Sequence, residues 1–394
     1  MKLNKNMIIF LICYIAYTSI YIARLNLSMA SPALTEAAIL STAEVGMMGS
    51  IFSIIYSVGR FINGYLGDRC HPTVMISTGL IIAGISNLAL GLMPPFIGML
   101  LLWGANAFAQ SMLWGSVLCI ISNIYDEKTA RKMTSFMVTS VAGGNILGII
   151  LNTIMINKLG TAFAFIIPGA LLIVICAIFI PISCKTPRAK NTAKHMSMFS
   201  LFKESNIRTG LIPSFLHGVM KDNISLWMTL FFVAKYSIDL NLSAGFVLFI
   251  PIIGFIGRML YPACLRLSRG DEHKVSLFAF ITCIVLALPL CLPYIPPFLA
   301  AICLAGIYAA VSLVNTSMLS IFPMRFLSTG NVASVSGIMD FATYLGAGVA
   351  SLAYGFLINH FDSYNPMFIS WALVSFISIF AVRKLSKNCA AVEV

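Results

Sequence analysis

Twelve long apolar stretches run through this chain of 394 residues, and each is long enough to cross a bilayer as a helix. A transmembrane barrel would instead show short strands of alternating polarity. The pattern therefore predicts an all-α integral membrane protein with twelve transmembrane helices. The predicted spans cover approximately residues 7–32, 45–66, 73–92, 96–124, 133–156, 161–182, 209–232, 242–265, 275–292, 298–321, 331–358 and 366–382.

The composition excludes other classes of protein. Apolar residues make up 59% of the chain and charged residues only 10%. In a soluble domain about 45–50% of the residues are apolar and about 25% are charged. A soluble enzyme and a disordered chain are both excluded. No phosphate-binding G-x-x-x-x-G-K-[ST] loop or H-E-x-x-H motif is present in the sequence, which disfavours an ATP-driven pump and an intramembrane enzyme. We expect no metal, no cofactor and no nucleic acid partner.

Basic residues predict the orientation in the membrane. Nineteen of the 25 lysines and arginines fall in the termini and loops of one side, and only Lys158 and Lys235 fall on the other. Cytoplasmic loops carry the excess of basic residues in membrane proteins. We therefore expect a multi-pass protein of the plasma (inner) membrane with both termini in the cytoplasm, contacting the lipid bilayer as a monomer.

An internal repeat divides the chain at a Lys-rich polar stretch, Ser183–Asn206. Arg24–Met29 aligns with Lys221–Leu226 at an offset of 197 residues, and Gly59-Arg60 aligns with Gly257-Arg258 at an offset of 198. Each half contains six spans and begins on the cytoplasmic side, so the two halves are predicted to be parallel repeats. The predicted division is an N-terminal half over 1–182, a cytoplasmic basic linker over 183–206 and a C-terminal half over 207–394.

Two cations lie inside predicted spans at equivalent positions of the repeat, Arg24 and Lys221. A charge at this depth costs about 2.5–3.5 kcal/mol on insertion scales, and such residues usually face a cavity or an ion pathway. An ion pair buried within one half is the alternative. Two cations facing each other across a central cavity would suit an anion.

Polar side chains at helical spacing flank both cations and recur on spans 4 and 10. Any single stripe is also explained by hydrogen bonds between helices. Four stripes on spans 1, 4, 7 and 10 predict the lining of a substrate cavity. The predicted substrate-binding residues are Arg24, Lys221, Tyr17, Tyr21, Gln110, Trp114, His217, Ser225, Tyr308 and Asn315.

The segment Gly64-Tyr65-Leu66-Gly67-Asp68-Arg69, between spans 2 and 3, resembles the G-x-x-x-D-R/K loop of the major facilitator superfamily. An ordinary cytoplasmic turn with a charged tip is the alternative interpretation. The resemblance implies the major facilitator fold of two six-helix halves and transport by alternating access. It also implies a role at the gate for Gly64, Asp68 and Arg69.

A narrower resemblance rests on three further segments. Tyr21 to Asn26 is similar to the Y-x-x-R-x-N of helix 1 in the organophosphate:phosphate antiporter family, and Gln110–Trp114 to its Q-x-M-x-W on helix 4. Tyr344-Leu345-Gly346 resembles its Y-L-G on helix 11, and Lys221 stands where that family has a second arginine. In this family two arginines clamp the phosphate. The resemblance therefore implies exchange of a phosphorylated metabolite for inorganic phosphate, with Arg24 and Lys221 as the clamp.

The chain also departs from that family. Lysine lacks the two-pronged hydrogen-bonding geometry of arginine, and Ser140 stands where several relatives carry a cavity histidine. Two acids, Asp222 and Asp340, lie inside spans and are candidates for ion pairing or coupling. Proton-coupled symport of a carboxylate or similar solute, with Asp340 as the proton carrier, is therefore an alternative. A transporter-like membrane sensor is a further one.

Overall fold

In this computed structural model the described residues are 5–67, 70–183, 201–326 and 332–392, and the regular elements among them are all helices. The predicted all-α fold class is confirmed. The helical boundaries follow the predicted apolar stretches closely, because each stretch satisfies its backbone hydrogen bonds within one helix.

The chain divides into two compact units. Unit 1 comprises Met1–Leu40 and Ile55–Thr192, and unit 2 comprises Ser41–Ile54 and Ala193–Val394. The first seven helices are α1 (Lys5–Glu36), α2 (Thr42–Gly67), α3 (Pro72–Leu90), α4 (Phe96–Ser111), α5 (Leu113–Ile124), α6 (Glu127–Leu159) and α7 (Phe163–Ser183). The remaining six are α8 (Ser205–Tyr236), α9 (Leu240–Leu267), α10 (Glu272–Leu290), α11 (Pro297–Thr316), α12 (Val332–Phe361) and α13 (Asn365–Val392).

Eleven spans in the described part of the chain are long and apolar enough to cross a membrane, counting α4 and α5 as one. The predicted seventh span is a helix as well, because α8 has 32 residues. However, α8 is not one of the eleven helices that are apolar enough to be counted as spans. The run Lys221-Asp222-Asn223 in its middle lowers its hydropathy, so the most polar segment of this helix is also the one predicted to bind substrate.

Two predicted spans are interrupted rather than continuous. The span over 96–124 breaks at Met112, which separates α4 from α5 while keeping right-handed helical backbone angles. The span over 298–321 ends in a π-helical turn, Ser317–Ile321, followed by a 3-10 segment, Phe322–Phe326. Single π-helical turns of this kind recur at functional sites in helical proteins.

Aspartates mark several helix starts. Asp126, Asp239 and Asp271 each accept a hydrogen bond from a backbone N–H in the first turn of the following helix. Such caps satisfy donors that the helix itself leaves without a partner. They also place short polar turns between long apolar helices.

Small residues allow close packing of α1 on α6 within unit 1. A Cβ added to Gly144 would clash with the carbonyl oxygen of Thr18. About two turns further along α6, Asn152 donates a hydrogen bond of 3.1 Å to the carbonyl oxygen of Ile22. Because α1 carries Arg24, this packing fixes the helix that presents the first cation.

The equivalent contact in unit 2 joins α8 to α12. A Cβ on Gly218 would clash with the carbonyl oxygen of Thr343, and one on Gly346 would clash with that of Phe215. Backbone therefore meets backbone at two points, as in membrane helix pairs with small residues at the interface. This crossing fixes α8, which carries Lys221, against α12, which carries Asp340.

Candidate functional site

In unit 1 the guanidinium of Arg24 lies against two tyrosine rings. Its Cζ is 4.9 Å from the ring centroid of Tyr56 on α2 and 5.7 Å from that of Tyr21. Tyr17 extends the aromatic group, because its ring centroid is 5.1 Å from that of Trp114 and 5.5 Å from that of Tyr21. Cation–π contact holds a guanidinium without neutralising its charge. The structure thus brings together four predicted residues of spans 1 and 4.

A chain of buried amides runs beside this group. Asn26 Nδ2 donates to Asn87 Oδ1 at 2.6 Å, and Asn87 Nδ2 donates to Asn106 Oδ1 at 3.1 Å. Gln110 Nε2 donates to the same Asn106 oxygen at 3.1 Å. All four side chains are buried. The chain joins α1, α3 and α4, so it orients the helix that carries Arg24.

Two polar atoms of this amide chain have no hydrogen-bond partner among the residues described. They are Oε1 of Gln110 and Nδ2 of Asn106. A buried polar atom without a partner is costly, and in a binding protein a ligand can supply the missing group. One acceptor and one donor are therefore available beside the predicted site of unit 1.

In unit 2 Lys221 has two neighbours of different kinds. Its Nζ is 4.7 Å from the ring centroid of Tyr344 on α12 and 3.9 Å from Oδ1 of Asp222. The contact with Asp222 is an ion pair, but its distance is too long for a hydrogen bond. Lys221 therefore has hydrogen-bonding capacity beyond that carboxylate, and the side chain remains 19% exposed.

His217 lies one turn before Lys221 on α8 and is completely buried. Among the described residues, neither of its ring nitrogens has a well-formed hydrogen bond. Ser225 lies one turn after Lys221 on the same face and is half-buried. The predicted stripe of α8 therefore includes a polar ring whose hydrogen bonds are not satisfied by the protein.

The remaining predicted residues of unit 2 lie on α11 and α12. Tyr308 is buried, and its ring lies against Gly254 of α9. Asn315 is half-buried, and no described residue donates a hydrogen bond to its Oδ1. Asp340 is 9% exposed and lies one turn before Tyr344 on α12. Helical spacing puts Asp340 on the face of α12 that also presents Tyr344 to Lys221.

The predicted gate motif is only partly covered by the structure. Gly64 lies in the last turn of α2, whereas Asp68 and Arg69 lie outside the described residues, as does most of the predicted linker. Within the residues that are described, no three His, Cys, Asp or Glu side chains come close enough to hold a metal ion.

Sequence reasoning missed Tyr56, Asn87 and, as a cation contact, Tyr344. Tyrosine and asparagine within an apolar stretch are ordinary in membrane helices, so neither residue type distinguishes itself by pattern. The spacing of Tyr56 and Arg60 on one face of α2 was the available signal, and Arg60 Cζ is 5.9 Å from the Tyr56 ring centroid.

Comparison with known proteins gives a consistent result. Residues 13–351 match the family model described as Major Facilitator Superfamily. The chain is 21% identical over 411 aligned positions to the phosphoglycerate transporter protein of Salmonella typhimurium, covering 90% of this chain and 84% of that protein. It is 29% identical over 181 residues to a probable hexose phosphate transport protein of Chlamydia muridarum, covering 46% of this chain.

Coverage differs among these relatives. The match to the Chlamydia protein spans only 40% of that protein's length. A solved structure of a variant of the nucleoside transporter NupG superimposes with a TM-score of 0.78, at 16% identity, over 96% of this chain and 99% of that one. At this identity the superposition shows the fold alone, and that fold is the one expected from the sequence.

Proposed function

The chain belongs to the Major Facilitator Superfamily, and within it we propose that this transporter exchanges a phosphorylated metabolite for inorganic phosphate by alternating access. Relatives named for hexose phosphate and phosphoglycerate transport support this substrate class. Phosphate esters and inorganic phosphate share the group that two cations would bind. Exchange needs no energy source other than the two concentration gradients.

The observation that carries the proposal is the pair of cations at equivalent positions of the repeat. Arg24 lies on the ring of Tyr56 in unit 1, and Lys221 lies on the ring of Tyr344 in unit 2. Contact with an aromatic face does not neutralise the charge of a cation. A phosphate with several acceptor oxygens suits two such donors.

Hydrogen-bonding capacity near each cation supports a substrate that carries hydroxyl groups. Gln110 Oε1 can accept a hydroxyl proton in unit 1, and a ring nitrogen of His217 can do so in unit 2. An apolar anion would leave these buried groups without partners, at a cost in affinity. The proposal is therefore a phosphate ester of a hydroxylated carbon skeleton.

Proton-coupled symport is the second candidate, and buried Asp340 favours it. A membrane sensor of the same ligand is a third candidate.

Orientation with both termini in the cytoplasm, in the plasma membrane, is part of the proposal and is supported by the bias of basic residues.

Reconstituted vesicles test the exchange. Vesicles containing the protein are loaded with radiolabelled inorganic phosphate and diluted into buffer with or without glucose 6-phosphate, glycerol 3-phosphate or 3-phosphoglycerate. We expect efflux only when one of these compounds or phosphate is outside. Efflux into empty buffer, or uptake that requires a proton gradient, would contradict antiport.

Variants test the site in the same assay. Arg24→Ala and Lys221→Ala should each abolish efflux while inserting normally, because each removes one of the cations. Arg266→Ala is the matched control, since Arg266 is exposed at the end of α9. Transport at the wild-type rate by both alanine variants would refute the cation site.

A further inference from the structure

Arg258 on α9 is one of four cations inside predicted spans, and it faces the protein rather than lipid. Its neighbours at helical spacing, Gly254 and Tyr261, are buried against α11. The exposed apolar residues of this helix, Met259 among them, lie on the opposite side. Arg258 is four to five residues from the middle of α9, which corresponds to about 7 Å along the axis. Its side chain lies on the packed side of α9, so contact with lipid does not explain this charge.

The guanidinium of Arg258 is not satisfied by the protein at every donor. Its Nε is buried and has no hydrogen-bond partner in the part of the chain that the structure describes. Within the described residues no ion pair to Arg258 is found. Arg325 shows the contrasting arrangement, because its Nε donates to buried Glu272 at 2.8 Å. An arginine that only stabilised the fold would be expected to have such an acid.

An acceptor without a donor lies on the adjacent helix. Contacts of Gly254 with Tyr308 and a 3.0 Å hydrogen bond between Tyr261 and Ser317 show that α9 and α11 run parallel in register. The same register places Asn315 within about one helical turn of Arg258 along the axis. Asn315 Oδ1 is buried and accepts no hydrogen bond from the residues that the structure describes. An unused donor and an unused acceptor therefore lie within about one turn of each other in unit 2.

Arg258 is offset from Lys221 along the helix axes. Ser243 Oγ donates to the carbonyl oxygen of Thr229 at 3.2 Å, which sets the register of antiparallel α8 and α9. Counting along both helices places Lys221 level with Pro251, seven residues before Arg258. Seven residues of helix correspond to about 10 Å. Two long side chains and a small molecule can close that gap.

We propose that Arg258 and Asn315 form a second subsite, which binds a carboxylate and its neighbouring hydroxyl on a substrate whose phosphate is bound by Lys221. Arg258 donates to the carboxylate, and the hydroxyl donates to Asn315 Oδ1. The substrate class is then a phosphorylated hydroxy acid rather than a simple phosphate ester. This inference rests on the proposed function, because it takes Lys221 as the phosphate ligand.

Three probes separate the two ends of such a substrate. Binding of 3-phosphoglycerate, glycerol 3-phosphate and inorganic phosphate is measured by calorimetry on the purified full chain. Arg258→Gln should weaken 3-phosphoglycerate binding about tenfold or more, since it removes a charged hydrogen bond. Binding of the two probes without a carboxylate should stay unchanged. Asn315→Ala should also weaken binding of 3-phosphoglycerate more than binding of inorganic phosphate.

Controls distinguish the inference from the proposed function. Lys221→Ala should weaken all three probes, and Arg266→Gln, the exposed control on the same helix, should weaken none. The second subsite is refuted, and the proposed function stands, if Lys221→Ala weakens binding of all three probes while Arg258→Gln weakens binding of none. The same conclusion follows if Arg258→Gln weakens binding of all three equally. If Lys221→Ala leaves binding of every probe unchanged, or if the wild type binds no probe, the second subsite and the proposed function are both refuted.

Arg258→Lys keeps the measurement decisive if the glutamine variant does not fold. Lysine retains the charge but loses the planar set of donors. We expect an intermediate loss of 3-phosphoglycerate affinity and a thermal unfolding temperature equal to that of the wild type. Wild-type affinity of this variant for 3-phosphoglycerate, with unchanged affinity for phosphate, would overturn the assignment.

Discussion

Asp222→Asn should tighten phosphate binding. In the structure Oδ1 of Asp222 lies 3.9 Å from Lys221 Nζ. An anion bound to that ammonium would be held close to a carboxylate of the same sign. Asparagine keeps the shape of the side chain and removes its charge. Most substitutions in a binding site weaken affinity, so a gain would identify the electrostatic effect.

The expected size follows from the distances. A phosphate oxygen at about 3 Å from Nζ would lie about 4–7 Å from the carboxylate of Asp222. Two unit charges 6 Å apart repel by about 2.8 kcal/mol at an effective dielectric constant of 20. The two side chains are 19% and 27% exposed, so water reduces this value. A net effect of about 1 kcal/mol, or about fivefold in Kd, is expected.

The assay is calorimetric titration of the purified protein with inorganic phosphate at low and high salt. The gain should shrink as ionic strength rises, because the charges are partly exposed. Asp362→Asn is the control, since Asp362 is exposed with a φ of 45° that asparagine adopts readily. Unchanged or weaker phosphate binding by Asp222→Asn would refute the repulsion and show that Asp222 orders the lysine instead.

Four further outcomes are expected. Lys221→Arg should retain exchange, because the guanidinium supplies the same charge, and a loss above about tenfold in vesicle efflux would contradict the clamp. Asp340→Asn should impair exchange and uphill uptake together if the acid pairs with a cation; exchange retained with proton-driven uptake lost would establish symport. Gly218→Val should lower the unfolding temperature, because overpacking costs about 1–3 kcal/mol; an unchanged temperature would contradict the backbone contact between α8 and α12. A cysteine replacing Tyr294 should react with an impermeant external reagent, and one replacing Lys274 should not; the reverse pattern would invert the predicted orientation.

Hydropathy made the helices predictable, because crossing a bilayer imposes a local requirement on each stretch. The two cations were equally visible, since Arg24 and Lys221 are charges within apolar runs. Their common offset in the repeat strengthened that prediction. The matching family model confirmed the superfamily. The roles of these two residues remain predictions.

Contacts between distant segments were not predictable. Asn26 and Asn87 are 61 residues apart when they share a hydrogen bond, and nothing in either local pattern marks the other. The breaks at Met112 and Ser317 likewise depend on packing, because neither residue type disrupts a helix by itself. The free donor of Arg258 emerged only from the side-chain geometry.

The polarity of α8 has a consequence for biosynthesis. Insertion machinery recognises helices by their hydropathy, and Lys221-Asp222-Asn223 makes α8 the weakest candidate among the predicted spans. Its closest partner, α12, is synthesised more than a hundred residues later. A nascent chain that stops before α12 therefore lacks the backbone contact at Gly218. Stable placement of α8, and with it the second cation, should be completed only near the end of synthesis.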